Sequence, residues 1–246
     1  MDSGYYAACT ALKAQSNALE LVANNVANVN TTGYRGQIPS FESLLLESQP
    51  SFPTNSWSRL INQFSVLNGA RLDLTEGNLE RTGNPLDFAL EGPGFFAVQT
   101  KAGTLYTRNG KFQIAASGQL VTSAGDAVLG TGGPIMLPLN AQPSISADGT
   151  ISVAGAVAGK LKLVEFAPGA QVKAVGGSYY SAPAKSAVIA AHAMVRQGML
   201  ESSNVNPVTA VIGLITAQRQ AEMAGRAMNA FYSDFDRIAA DELPRT

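Results

Sequence analysis

Two periodicities divide this chain. From Tyr5 onward, Tyr5, Ala8, Leu12, Gln15, Leu19, Val22, Val26 and Val29 recur at alternating steps of three and four, the heptad spacing of a helix with one apolar seam. A second stripe, Ala7, Ala11, Ala14, Ala18 and Leu21, runs beside the first. The first thirty residues are therefore expected to form one helix packed on two faces, with Asp2 or Ser3 capping its start and residues 30–33 supplying its end.

The other end mirrors this. Asn206 is placed as an N-cap and Pro207 at the first helical position, followed by Val208, Val211, Ile212 and Ile215. The pattern continues through an alanine- and methionine-rich stretch to Phe231 and Phe235, and Pro244 stops it. About 34 residues of helix at 1.5 Å per residue would be about 50 Å long, more than a small domain needs. Such helices stay frayed until packed, so the two ends are expected to pair with each other, leaving the extra stripe of the first helix for another subunit.

Between the ends the period falls to two, in short segments broken by Gly, Asn and Asp, the pattern of antiparallel strands. Strands are expected near 86–90, 95–99, 111–114, 119–122, 151–153 and 160–166. Asn109-Gly110 and Asp148-Gly149 are expected at hairpin tips. The Pro- and Ser-containing stretch 48–58 reads as an irregular connector. The expected fold is α+β, with N- and C-terminal helices pairing as a coiled-coil-like domain and an antiparallel β-rich domain inserted between them. Its parts are a discontinuous helical polymerisation domain (1–35 and 200–246), an extended connector (36–80) and a β-rich outer domain with its return segment (81–199).

Composition narrows the function. Hydrophobic residues make up 46% of the 246, enough for a core, whereas charged residues are only 14% and the formal net charge is -1. No basic field exists to attract nucleic acid or anionic lipid. Cys9 and His192 are the sole residues of their kinds, which excludes an internal disulfide and most nucleophilic or metal constellations. The segment Gly155-Ala156-Val157-Ala158-Gly159-Lys160 lacks the spacing and the hydroxyl residue of a phosphate-binding loop. Asp73, Glu76 and Asp87 have no partner in sequence that would make a general acid and base. Neither a secretory signal pattern nor an apolar run of membrane-spanning length is present. No enzyme activity and no cofactor are expected.

In the segment Ala23-Asn24-Asn25-Val26-Ala27-Asn28-Val29-Asn30, a helix fraying into a turn accounts for Asn30, but Asn24, Asn25 and Asn28 fall where the heptad still runs. Asparagine is poor helix material, because its amide competes for backbone groups. At a seam it costs stability and fixes register between helices. The candidate subunit interface is therefore Leu12, Leu19, Val22, Asn24, Asn25, Val26, Asn28 and Val29 at one end, and Asn204, Asn206, Val208, Val211, Ile212 and Ile215 at the other.

This stretch, leading into Thr31-Thr32-Gly33-Tyr34-Arg35, resembles the amino-terminal signature of flagellar rod and hook proteins. Leu200-Glu201-Ser202-Ser203-Asn204-Val205-Asn206 is similar to the family's lead into its carboxy-terminal helix. Thr82-Gly83-Asn84-Pro85-Leu86-Asp87-Phe88, Gly92-Pro93-Gly94-Phe95-Phe96, Tyr106-Thr107-Arg108-Asn109-Gly110 and Gly118-Gln119-Leu120-Val121-Thr122 follow the family order, with Pro93 where a polar residue is common. The resemblance implies a structural subunit of the basal-body rod, in its proximal or distal part. Such a subunit polymerises in the periplasm with copies of itself and other rod proteins, after export without a cleaved signal through the flagellum's type III apparatus. The rival reading is a secreted β-rich scaffold or adhesin whose helices form an oligomerisation stalk.

Overall fold

The computed structural model of the chain describes residues 2–43, 65–139, 142–167, 169–183, 186–190 and 192–242. Helix α1 spans Asp2–Ala27 and helix α2 spans Pro207–Glu242. Helix α1 stops short of residue 30 because Asn28 starts a turn. The Thr31 amide bonds back to the Asn28 carbonyl and its hydroxyl donates to the Asn28 side-chain oxygen, both at 3.1 Å. These are the local bonds with which asparagine competes against a helix. The connector stretch 48–58 and Pro244 lie outside the described residues.

The expected pairing of the terminal helices as a coiled coil is overturned. Along the described residues no sustained contact joins α1 to α2; they approach locally where Val22 Cγ1 lies 3.5 Å from the place a Cβ on Gly213 would occupy. The seam positions Val208, Val211, Ile212 and Ile215 are exposed, and Leu12, Leu19, Val22, Val26 and Val29 are half-buried. Among the described residues the buried helical positions are alanines instead, Ala14, Ala18 and Ala217. Heptad spacing gathers apolar residues on one face, but it does not say whether that face is covered by the same chain.

The chain divides into two units. The helical unit takes Met1–Val26, Gln37–Arg71 and Pro207–Thr246, and the β-rich unit takes Ala27–Gly36 and Leu72–Asn206. In the helical unit, strand Gln37–Ser43 pairs with Ser65–Leu72. The Asn25 amide grips the first residue of that ribbon at both main-chain groups: Nδ2 donates to the Gln37 carbonyl and Oδ1 accepts from the Gln37 amide, each at 2.8 Å.

In the β-rich unit the main antiparallel sheet runs in the order Lys173–Gly176, Tyr179–Ser181, Gly103–Thr107, Phe95–Thr100, Ala127–Gly130, Leu120–Thr122, Phe112–Ile114. Leu163–Phe166 joins beside Phe95 and Phe96. Period two decides the packing. Phe96 and Val98 face a core with Phe88, Phe112, Leu120, Val128 and Ile151, whereas Phe95 and Ala97 face a second cluster with Leu72, Tyr106, Val164 and Tyr180. Both faces of the central strand are therefore buried.

Two expectations fail here. The strand expected over 160–166 is two, Ala156–Lys160 and Leu163–Phe166, because Leu161 leaves to bridge Gly130 and the Lys162 amide bonds to the Leu129 carbonyl. Asp148-Gly149 does lie between paired strands, Ser144–Ile145 and Thr150–Val153. Asn109-Gly110 does not, since Gly103–Thr107 and Phe112–Ile114 pair with other strands. Gly110 instead lies against the Phe88 carbonyl, where any side chain would overlap it.

Candidate functional site, a buried ionic collar

Within the β-rich unit, the segments that lead in and out are tied together around one carboxylate. Glu201 ends strand Met199–Glu201, which pairs with Leu79–Arg81, and its side chain is wholly buried. Its Oε1 lies 2.6 Å from Arg35 Nη2 and accepts the Gly77 amide at 2.8 Å. Oε2 accepts from Arg108 Nη1 at 3.0 Å, and the main-chain oxygen accepts the Gly33 amide at 2.8 Å. One residue thus holds three segments remote in sequence.

Two guanidinium groups share this acid, leaving an excess positive charge. Arg108 spends it on carbonyls, donating to Leu90 at 3.1 Å and Gly92 at 2.6 Å, and lies 5.4 Å from the centroid of the Phe95 ring. Burial pushes the Arg108 guanidinium down, Glu201 pulls it up, and Arg35 pushes it down again. Arg35 is less well served. Among the described residues its Nε and Nη1 find no acceptor, and its Nη2 meets Glu201 as a charge contact rather than an aligned hydrogen bond. Its main-chain amide donates to the Tyr180 hydroxyl at 2.7 Å. Burial raises the Tyr180 phenol far above its ordinary range, so that hydroxyl is neutral. The Tyr180 ring stands edge-on to Phe95, 5.5 Å between centroids, completing a stack from Arg35 to Arg108.

Asn204 closes the same collar with a neutral amide. Its Oδ1 accepts the Gly36 amide at 2.7 Å and its Nδ2 donates to the Asp73 and Thr75 carbonyls at 3.0 Å each. Gly33 (φ 67°) gives the backbone room, because a Cβ there would overlap the main chain of Arg108 and Asn109.

The residues singled out from sequence are thus scattered. Asn204 belongs to the collar, Asn25 grips Gln37, and Asn28 caps its own turn, while Asn24 and Asn206 lie at the ends of the two helices. Arg35, Arg108, Glu201 and Tyr180 were missed. The first three had a signal: each is a charged residue inside one of the motifs that carried the family resemblance, in a chain poor in charge. Tyr180 had none. Among the described residues no group of three metal-ligating side chains is gathered, and no helix is long and apolar enough to cross a membrane.

A β-rich body inserted between two long terminal helices, with a buried charge cluster binding its connecting segments, defines a structural subunit built around its own connectivity. The comparisons agree. The chain matches the descriptions "Flagella basal body rod protein" over residues 6–35, "Flagellar hook protein FlgE/F/G D1 domain" over 89–153 and "Flagellar basal body rod FlgEFG protein C-terminal" over 196–240. Arg35, Arg108 and Glu201 come one from each. Among its relatives, the flagellar basal-body rod protein FlgF of Mesorhizobium japonicum is 34% identical over 244 residues, with 96% of each chain covered. FlgF of Escherichia coli is 36% identical with 94% of each covered, and FlgG of Agrobacterium fabrum is 35% identical with 90% of this chain and 92% of the relative covered. The chain belongs to the flagellar basal-body rod protein family, and is a structural rod subunit rather than an enzyme.

Proposed function

We propose that this chain polymerises into the periplasmic rod by burying the faces of its terminal helices against neighbouring subunits, copies of itself and other rod proteins. The observation that carries this is the distribution of apolar cores. Both clusters lie in the β-rich unit, and the described part of the helical unit buries little beyond Ala14, Ala18 and Ala217. Val208, Val211, Ile212 and Ile215 form an exposed stripe at helical spacing. Taking four half-exposed aliphatic side chains out of water is worth roughly 3–6 kcal/mol per subunit before the cost of association. Repeated along a polymer, that increment suffices to order helices that are marginal alone.

The interface on this reading comprises that stripe with Leu12, Leu19, Val22, Val26 and Val29. A proximal position fits the FlgF relatives and a distal one the FlgG relatives. Export without a cleaved signal, through the flagellum's own type III apparatus, would bring the chain to that place. Ile212→Asp tests the helical interface. The expected result is loss of motility and absence of the protein from purified basal bodies, with the β-rich unit still folded by circular dichroism; normal incorporation overturns it.

A further inference from the structure

The collar is more than a set of contacts, because its ties converge on two residues, Glu201 and Asn204. Glu201 is the one acid paired with Arg35 and Arg108, and it also holds the Gly33 and Gly77 amides. Withdraw residues 33–36 and the buried Glu201–Arg108 pair is opened to water. Withdraw Glu201 and two buried guanidinium groups are left without a counter-charge, the situation in which breaking a buried pair is most costly. Asn204 adds a second tie across the same segments, through Gly36, Asp73 and Thr75, and the Asp73 amide bonds in turn to the Gly36 carbonyl at 2.8 Å. The apolar cluster around Phe96 and Val98 contains none of these residues.

We propose that the collar opens and closes as one cooperative unit, separate from the apolar core around Phe96 and Val98, with Glu201 as the positioning residue whose charge latches it. The inference rests on the collar geometry and not on the rod assignment. Its consequence concerns connectivity. The chain passes between its two units at 26/27, 36/37, 71/72 and 206/207. The segment between the first two crossings carries Gly33, Arg35 and Gly36, and Asp73 and Asn204 lie within three residues of the other two. A single latch therefore holds every segment that leads to the helices, or releases all of them together, as cooperative local unfolding units do.

The test is residue-resolved amide hydrogen exchange on the purified full-length chain, at two pH values so that opening equilibria are read. In the natural protein the amides of Gly33, Gly36, Asp73, Gly77, Ser202 and Asn204 are expected to share one protection factor. Glu201→Gln keeps the shape and removes the charge, and it should speed all six by a common factor of about a hundred or more, with Leu120 and Ile135 in the core changing far less. Asn204→Ala touches no charge. Gly36 loses its own acceptor there, but Gly33 and Gly77, which Asn204 does not contact, should nevertheless be speeded by the same factor as Ser202. If Asn204→Ala speeds only Gly36 and its immediate neighbours, or Glu201→Gln speeds only Gly33 and Gly77, the collar is a collection of independent contacts and the proposal fails. Should Glu201→Gln not fold, the Asn204→Ala pattern decides alone.

Discussion

Arg35 reaches Glu201 at 2.6 Å with both side chains removed from water, and the contact joins the segment that follows the first helix to the one that precedes the second. The pair is unequal. Glu201 is fully used by four partners, whereas Arg35 leaves Nε and Nη1 without acceptors among the described residues and faces the like charge of Arg108. Glu201→Leu should therefore cost about 3–5 kcal/mol, since it strands two buried cations. Arg35→Met should cost less, about 1 kcal/mol or nothing, because it also removes an uncompensated charge. Urea unfolding of the two variants checks the asymmetry; equal losses would mean that Arg35 is better satisfied than its geometry shows.

Gly33 carries a second, purely steric dependence. At φ 67°, with the Arg108 and Asn109 main chain where a Cβ would stand, Gly33→Ala must both strain its own backbone and push Arg108 away from Glu201. A loss of about 2–4 kcal/mol is expected, from the left-handed conformation and the displaced ion pair together. A thermal melt reads this directly, and a melting temperature within a degree of the natural protein's would rule it out. Gly83→Ala is the control, with a comparable φ of 74° and open space around it, so it should lose only the backbone part.

How much of this was visible in sequence follows from the range of the forces involved. Helix α2 begins at Pro207 and the strand at Phe95 begins where its alternation begins, because capping and periodicity are local. The coiled-coil pairing was not legible, since the residues that share a helix face do not encode what lies opposite. Asn109-Gly110 has the chemistry of a hairpin tip, yet the strands flanking it pair elsewhere, and the glycine serves the close passage of Phe88. The collar was half legible. Arg35, Arg108 and Glu201 stood in the quoted motifs, but their meeting depends on strand pairings such as Met199–Glu201 with Leu79–Arg81, which three-residue strands announce too weakly to be read.

The tyrosines give the pH response. Burial raises the Tyr180 phenol, and burial also raises Tyr106 and Tyr179. A group whose pKa is higher folded than unfolded contributes stability that is whole below its unfolded value, about 10 for tyrosine, and is lost as pH rises through the folded value. The β-rich unit should thus be insensitive to pH at neutrality and weaken above about pH 10. Phenolate absorbance at 295 nm should lag behind that of free tyrosine until the fold gives way. Tyr180→Phe should be less stable at neutral pH, having lost the acceptor for the Arg35 amide, yet show a shallower decline in alkali. An unchanged alkaline slope in that variant would count against this account of Tyr180. At the acid end, the Lys160 hydrogen bond and then Thr150 hold exposed Asp148 down to about 2, so that hairpin's support persists above the ordinary carboxylate range and fades as pH falls toward 2.

One exposed position works against the fold. Strands Thr150–Val153 and Ala156–Lys160 are joined by Ala154 and Gly155, with Val153 opposite Ala156, and both loop residues have positive φ, 51° and 84°. That is the two-residue turn whose twist suits a hairpin, and its first position favours Asn, Asp or Gly. Alanine there bears the left-handed penalty of about 1 kcal/mol without a compensating contact. Ala154→Asn should therefore stabilise the β-rich unit by about 0.5–1 kcal/mol, raising the melting temperature by roughly 1–4 °C. Ala154→Val, β-branched at the same φ, should destabilise it. If both substitutions lowered the melting temperature alike, the alanine side chain would be serving a contact rather than merely tolerating the turn, and the strain argument would give way to a packing one.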